Sequence, residues 1–275
     1  MEATALCYPI AFDGVLTRVF DTHDGSKSVL FIHGLGARAD RWRHNLPAVA
    51  EAGYRGIALD LPGHGFAAKD PSFAHGVPAY ARFVRAAIDG LGLRRPVLVG
   101  TSLGGHIAAA IACDHPGLIS GLVLIGATGL FPIGEEARER LASRAIDRSI
   151  SGTQSKAKTV FFDPSLASER FVAEEHRINN SPGADGVFAV LSEYFRKQLD
   201  ADVVGERLAH ITPRPPIQLV WGAEDRSVPL TIGKAAAHLL APAPLEVIEQ
   251  AAHAPYFEKP AEFNRLLLQF LRELH

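Results

Sequence analysis

Gly100-Thr101-Ser102-Leu103-Gly104 follows the apolar run Pro96-Val97-Leu98-Val99 and opens an Ala-rich stretch that continues to Cys113. A short strand, then Gly-x-Ser-x-Gly, then a helix is the arrangement that presents a serine on a sharp, strained turn. Gly100 and Gly104 carry no side chains, so strand and helix can approach closely enough to close that turn. Apolar residues occupy most faces of the stretch after Ser102, as in a helix packed on all sides. A buried strand and a buried helix joined with no intervening loop leave few folds open, and an alternating α/β fold satisfies the demand most directly.

The rest of the chain agrees. Ala11–Phe20 reads as an opening hairpin with Asp13-Gly14 at its turn. Strand-like runs follow at Ser28–Ile32, Gly56–Leu59, Val97–Val99, Leu122–Ile125, Ile217–Trp221 and Leu245–Ile248. Helix-like stretches lie between or after them at Asp40–Ala50, Pro78–Gly90, Leu103–Cys113, Ile232–Leu240 and Ala261–Leu274. Short, continuously apolar strands are those of a parallel sheet covered on both faces. The interval 131–210 breaks the rhythm. It is rich in charge and helix formers, as in Glu135-Glu136-Ala137-Arg138-Glu139-Arg140, and has no convincing strand. Its length far exceeds that of an ordinary connection. We therefore expect a core formed by 1–130 and 211–275 and a helical insertion at 131–210, lying over the carboxyl edge of the sheet.

Composition excludes several classes of function. Lys and Arg number 28 against 30 Asp and Glu, for a net charge of −2, so no basic surface calls for nucleic acid. No apolar run approaches the ~18 residues of a membrane span. Met1-Glu2-Ala3-Thr4 lacks the charge and apolar core of a secretory signal. Cys7 and Cys113 stand far apart without any Cys-x-x-Cys, which suits free buried thiols and a reducing cytoplasm. No ligand-spaced His or carboxylate cluster calls for a metal, and no Gly-rich phosphate loop calls for a nucleotide cofactor, so none is expected. No interface is legible, which leaves monomer and homodimer open.

A serine hydroxyl attacks a carbonyl only if a base takes its proton and a third group orients that base. His253, in Ala251-Ala252-His253-Ala254-Pro255, follows the last strand-like run. Asp225, in Trp221-Gly222-Ala223-Glu224-Asp225, follows the one before it. In a doubly wound sheet these loops and the Ser102 turn emerge at the same carboxyl-terminal edge, where ligands bind. Glu224 is the competing carboxylate, and Glu258 reads as a helix-entry or salt-bridging residue.

With these residues in place, the chain resembles the α/β-hydrolase fold superfamily, in its capped serine-hydrolase branch. The order Ser102, Asp225, His253 is that family's order. The resemblance implies an eight-stranded, mostly parallel, doubly wound sheet with a helical cap, and it favours Asp225 over Glu224. His33-Gly34-Leu35-Gly36 resembles the family's oxyanion loop, which implies the backbone N–H groups of Leu35 and Leu103 as oxyanion donors. His33, Gly34 and Gly36 would support that loop, as Gly100 and Gly104 support the turn at Ser102. Asp60-Leu61-Pro62-Gly63-His64-Gly65 resembles the family's turn after the fourth strand, with Ala67 where a Ser is common. The implied reaction is hydrolysis of small carboxylic esters or lactones through an acyl-enzyme. The alternatives are carbon–carbon bond hydrolysis of dienoic ring-fission products, acyl transfer to another acceptor, or slow turnover in a ligand receptor. The carbon–carbon hydrolases that the chain resembles show Asn before the nucleophile and Trp after the base, where Thr101 and Ala254 stand here.

Overall fold

The structure is a computed structural model that describes residues 5–274; the stretch Met1-Glu2-Ala3-Thr4, read above for a signal, lies outside it. Strands β1 (Leu6–Phe12) and β2 (Val15–Asp21) form the expected hairpin. Asp13 and Gly14 both have positive φ, 48° and 76°, the mirror-image turn whose twist matches that of paired strands. Then come β3 (Lys27–Ile32), helix α1 (Leu46–Glu51), β4 (Tyr54–Leu59), α2 (Val77–Gly90), β5 (Val97–Thr101), α3 (Leu103–Asp114) and β6 (Gly121–Ile125). Five helices follow, α4 (Glu135–Ile146), α5 (Ile150–Val160), α6 (Glu169–Asn179), α7 (Ala184–Lys197) and α8 (Gly205–His210). The chain closes with β7 (Ile217–Gly222), α9 (Leu230–Leu239), β8 (Leu245–Ile248), α10 (Pro255–Glu258) and α11 (Pro260–Glu273).

The eight strands form one sheet in the order β1-β2-β4-β3-β5-β6-β7-β8. β2 runs antiparallel to β1 and β4, and the strands from β4 to β8 are parallel. Every residue of β5, β6 and β7 is buried. The reason is visible in the two apolar layers. One face carries α2, α3 and α9, and the other carries α1 and α11. Strands covered on both sides bury both sets of alternating side chains, hence their unbroken apolar runs.

Two expectations need correction. Asp40–Ala50 is not one helix. A 3-10 turn at Ala39–Trp42 ends before α1, which begins at Leu46 with Pro47 in its first turn. Proline disfavours helix in the residue before it and cannot donate a backbone hydrogen bond, so it fits a helix start better than an interior. Cys113 is buried, but Cys7 is exposed on β1, the sheet's edge strand, and neither is bonded to the other.

Among the described residues, no helix is long and apolar enough to cross a membrane. The span between β6 and β7 has no strand among the described residues. Its helices join both apolar layers: Phe188, Leu191 and Phe195 of α7 pack with the layer of α2 and α3, whereas Ala157 and Phe161 pack with that of α11. Phe161, Phe188 and Phe195 are buried, but Phe162 is exposed.

Gly104 packs against the end of β3, where a Cβ would collide with the Ile32 carbonyl oxygen. A Cβ at Gly100 would collide in turn with the Gly104 carbonyl. Overpacking of this kind typically costs 1–3 kcal/mol. Gly104→Ala is therefore expected to lower unfolding free energy by about 3 kcal/mol, read from the urea midpoint; an unchanged midpoint would show that α3 can shift freely.

Four histidines, His33, His64, His75 and His106, are buried in the interior of the fold. Burial lowers the affinity of each for a proton, to a pKa of about 4 for His33 and about 3 for His64. An unfolded histidine titrates near 6.5. Between that pH and about 4 the unfolded chain binds more protons than the folded one, so stability rises with pH across this window and is lost on acidification. Asp21 acts lower down. Burial raises its pKa, but the Arg55 guanidinium and the His23 N–H outweigh burial and hold it at about 2, so its contribution fades only below the ordinary carboxylate range. The melting temperature is expected to fall as pH drops from 7 to 5, in thermal scans at constant ionic strength. A melting temperature that stays level or rises would contradict the neutral burial of these rings.

Candidate functional site

Ser102 sits between the last residue of β5 and the first of α3, with φ 53° and ψ −119°. A non-glycine side chain rarely adopts such a conformation, and it lifts the hydroxyl clear of both elements. The surroundings hold the strain in place. The Ser102 N–H donates to Ile125 O at 2.9 Å, and Ser102 O accepts from His106 N at 3.1 Å and Thr128 N at 3.3 Å.

His253 lies in the loop between β8 and α10, and Asp225 in the loop after β7. The His253 Nδ1–Asp225 Oδ2 distance is 2.8 Å, with both side chains largely buried. Asp225 Oδ1 accepts from the N–H groups of Ser227 at 2.8 Å and Val228 at 2.9 Å, which leaves Oδ2 aimed at the ring. A carboxylate held in this way orients the imidazole and can stabilise its charged form. Glu224 lies beside this pair but serves elsewhere, accepting from Ala251 N at 3.1 Å in the His253 loop.

The side chains of Asp225 and His253 and the backbone of Ser102 meet at the turn after β6. A Cβ at Gly126 would lie 2.9 Å from Asp225 Oδ2 and 3.1 Å from His253 Nδ1, while the Ile125 carbonyl just before it holds Ser102 N. The Ser102 hydroxyl makes no hydrogen bond to the imidazole among the described residues. Such contacts often tighten only when substrate is bound.

On its other side Ser102 faces the loop after β3. A Cβ at Gly34 would lie 3.1 Å from Ser102 Cβ and 3.7 Å from its Oγ. This loop is organised by His33. Leu61 N donates to His33 Nε2 at 2.9 Å, so Nε2 carries no proton and Nδ1 does. Nδ1–H then donates to Gly34 O at 2.8 Å, and Ala37 N–H donates to the same oxygen at 3.2 Å. A trans peptide points its C=O and N–H in opposite directions. Two donors that fix the Gly34 carbonyl on one side therefore aim the Leu35 N–H to the other. Leu103 N–H is the first of α3, where no intrahelical acceptor exists.

His64 and His106 lie in the interior among other partners. His64 lies 5.4 Å from the His33 ring and edge-on to Tyr80 and Phe188, and His106 Nε2 binds Asp202 O at 2.7 Å. Glu258 binds no cation among the described residues, contrary to a salt-bridging role. Its carboxylate accepts from Ala252 N at 2.8 Å and Phe162 N at 2.6 Å, which ties the His253 loop to the insertion. A second tie left no mark in the sequence: His253 N donates to Val160 O at 2.9 Å. Nor did it flag Glu175 and Asn179, which reach the loop after β3 from α6. Ordinary polar residues on an amphipathic helix leave no motif. No three His, Cys, Asp or Glu side chains among the described residues cluster as metal ligands do.

A family profile described as alpha/beta hydrolase fold matches residues 27–260. A 2-hydroxy-6-oxononadienedioate/2-hydroxy-6-oxononatrienedioate hydrolase of Burkholderia vietnamiensis is 31% identical over 286 residues, spanning 98% of this chain and 96% of the relative. Among solved structures, a meta-cleavage product hydrolase superimposes with a TM-score of 0.84 at 25% identity, covering 97% of this chain and 98% of its own. A membrane phospholipase A does so with a TM-score of 0.84 at 27% identity, covering 99% and 87%. With an eight-stranded sheet of the matching topology and a family profile over most of its length, the chain is a hydrolase that belongs to the alpha/beta hydrolase fold family.

Proposed function

We propose that Ser102, His253 and Asp225 form a catalytic triad, with the Leu35 and Leu103 N–H groups as the oxyanion hole, and that the enzyme hydrolyses a carbon–carbon bond next to the keto group of a small dienoic acid. The observation that carries the triad is the His253–Asp225 hydrogen bond, set at the turn that also holds the strained Ser102. The choice of bond is supported by the relative at 31% identity over nearly the full length of both chains.

In this reading His253 takes the Ser102 proton as Oγ adds to the keto carbon. Charge builds on the keto oxygen and is met by the two N–H groups; losing one such donor typically costs 10²–10³ in rate. Collapse breaks the bond from that carbon to the neighbouring chain carbon. For this the 2-hydroxy proton must first move to that chain carbon, so that the released electron pair spreads into the 2-keto-3-ene chain, which takes its proton from His253. Water deprotonated by His253 then frees the acid and restores Ser102. The segment 131–210 acts as a cap over the site, and the two unpaired thiols suit a cytoplasmic enzyme.

Ester hydrolysis by the same triad is the second reading. It is favoured by Thr101 and Ala254, which stand where the carbon–carbon hydrolases that the chain resembles show Asn and Trp, and by the likeness to the phospholipase. One experiment separates the two. The wild type is given a 2-hydroxy-6-oxo dienoate, whose absorbance disappears on cleavage, and in parallel a p-nitrophenyl ester series. Fast loss of the dienoate is expected, and Ser102→Ala should be slower by about 10³-fold or more with the fold intact. Rapid turnover of the esters with an untouched dienoate would establish the second reading. A Ser102→Ala variant that keeps a tenth of the activity would remove the nucleophile assignment altogether.

A further inference from the structure

Asn179 and Glu175 lie four residues apart on α6, so they share one face of that helix. That face meets the segment 36–41, directly after the proposed oxyanion loop. Asn179 Nδ2 donates to Gly36 O at 3.1 Å. The Gly36 carbonyl belongs to the same peptide as the Ala37 N–H, which donates to Gly34 O. The Gly34 carbonyl belongs in turn to the peptide whose N–H is that of Leu35. Two trans peptides, each with C=O and N–H opposed, thus link the Asn179 amide to the Leu35 N–H in one hydrogen-bonded series. Each bond in such a series orients and polarises the next.

Glu175 anchors the same segment by charge. It pairs with Arg38, and with Arg41 at 3.0 Å, and all three residues are more than nine-tenths buried. Arg38 is held further by Asp40 and Glu174. The Arg41 guanidinium lies 4.5 Å from the Phe171 ring centre on α6, and also faces Phe161 and Phe257. Phe257 follows His253 by four residues, so this cluster touches the loops of both the proposed base and the proposed oxyanion donors.

We propose that α6 is a positioning element of the catalytic site: Asn179 sets the direction of the Leu35 N–H through the Gly36 and Gly34 carbonyls, and Glu175 holds α6 in place by its buried pairing with Arg38 and Arg41. The oxyanion hole is then complete only while this helix is docked, so an opening of the insertion that admits substrate also slackens the hole. The inference rests on the triad reading but not on which bond is cleaved.

The test uses a fluorophosphonate, whose reaction with an activated serine develops charge on the phosphoryl oxygen, and a p-nitrophenyl ester where one is turned over. Asn179→Ala and the isosteric Asn179→Asp, which cannot donate to the Gly36 carbonyl, are compared with Asn180→Ala. Among the described residues the Asn180 side chain hydrogen-bonds only to Arg148 and His176, within the insertion. Both Asn179 variants should label about tenfold more slowly and lose kcat in parallel, since a slightly misaimed donor costs part of the 10²–10³ lost when a donor is removed. KM and the pH profile should be unmoved, and Asn180→Ala should match the wild type. Labelling of the Asn179 variants within twofold of the wild type overturns the inference and leaves the triad standing. A loss confined to KM also overturns it, because it marks Asn179 as a pocket residue. A wild type that does not label at all overturns the triad and the inference together.

Discussion

The site depends on how closely the backbone of α3 approaches the ends of β3 and β5. There is no room for a side chain at Gly100 or Gly104, so β5 turns into α3 at a single residue, and that residue takes the conformation seen at Ser102. From this contact follow the exposure of the hydroxyl, the free N–H of Leu103 beside it, and the proximity of Gly34 on the neighbouring strand end. A helix displaced outward by one methyl group would relax the turn and part the serine from the loop it faces.

A second constraint is the rigidity of the peptide bond. The loop after β3 is aimed through its carbonyls, since Gly34 O and Gly36 O both accept hydrogen bonds. His33, fixed as one tautomer by Leu61, holds Gly34 O from one direction, and Ala37 holds it from another. The buried, uncharged state of His33 suits this task, because a proton on Nε2 would break the bond from Leu61. One of the four buried rings expected to make the fold sensitive to acid is thus also the one that shapes the loop facing Ser102.

The helical insertion fastens itself to the core at the two loops that matter most. Val160 and Phe162 bond to the His253 loop or to the Glu258 carboxylate beside it, while Glu175 and Asn179 bond to the segment at the end of the proposed oxyanion loop. The segment proposed to cap the site therefore has a physical connection to the groups proposed to act there. Breaking a buried pair such as Arg38–Glu175 leaves charge uncompensated in the interior, so separating α6 from this segment is costly.

Much was legible in the sequence, because some residues specify a backbone by themselves. The turn at Ser102 could be read from glycines flanking a serine between a β-branched run and an Ala-rich one, and the hairpin from Asp13-Gly14. The sheet could be read from apolar runs too continuous for strands with an exposed face. Pro47 shows where such reading failed, since an unbroken helical pattern hid a turn followed by a new helix. What the tertiary structure alone decided are contacts between residues far apart in the chain. Asp225 rather than Glu224 faces His253 because its other oxygen is held by Ser227 and Val228. Glu258 binds backbone N–H groups instead of a cation, and Glu175 meets Arg38 across 137 residues. Local chemistry fixes φ, ψ and the alternation of buried faces, so it is written in neighbouring residues. Which carboxylate meets which partner depends on where the packed helices bring them, and that only the folded chain determines.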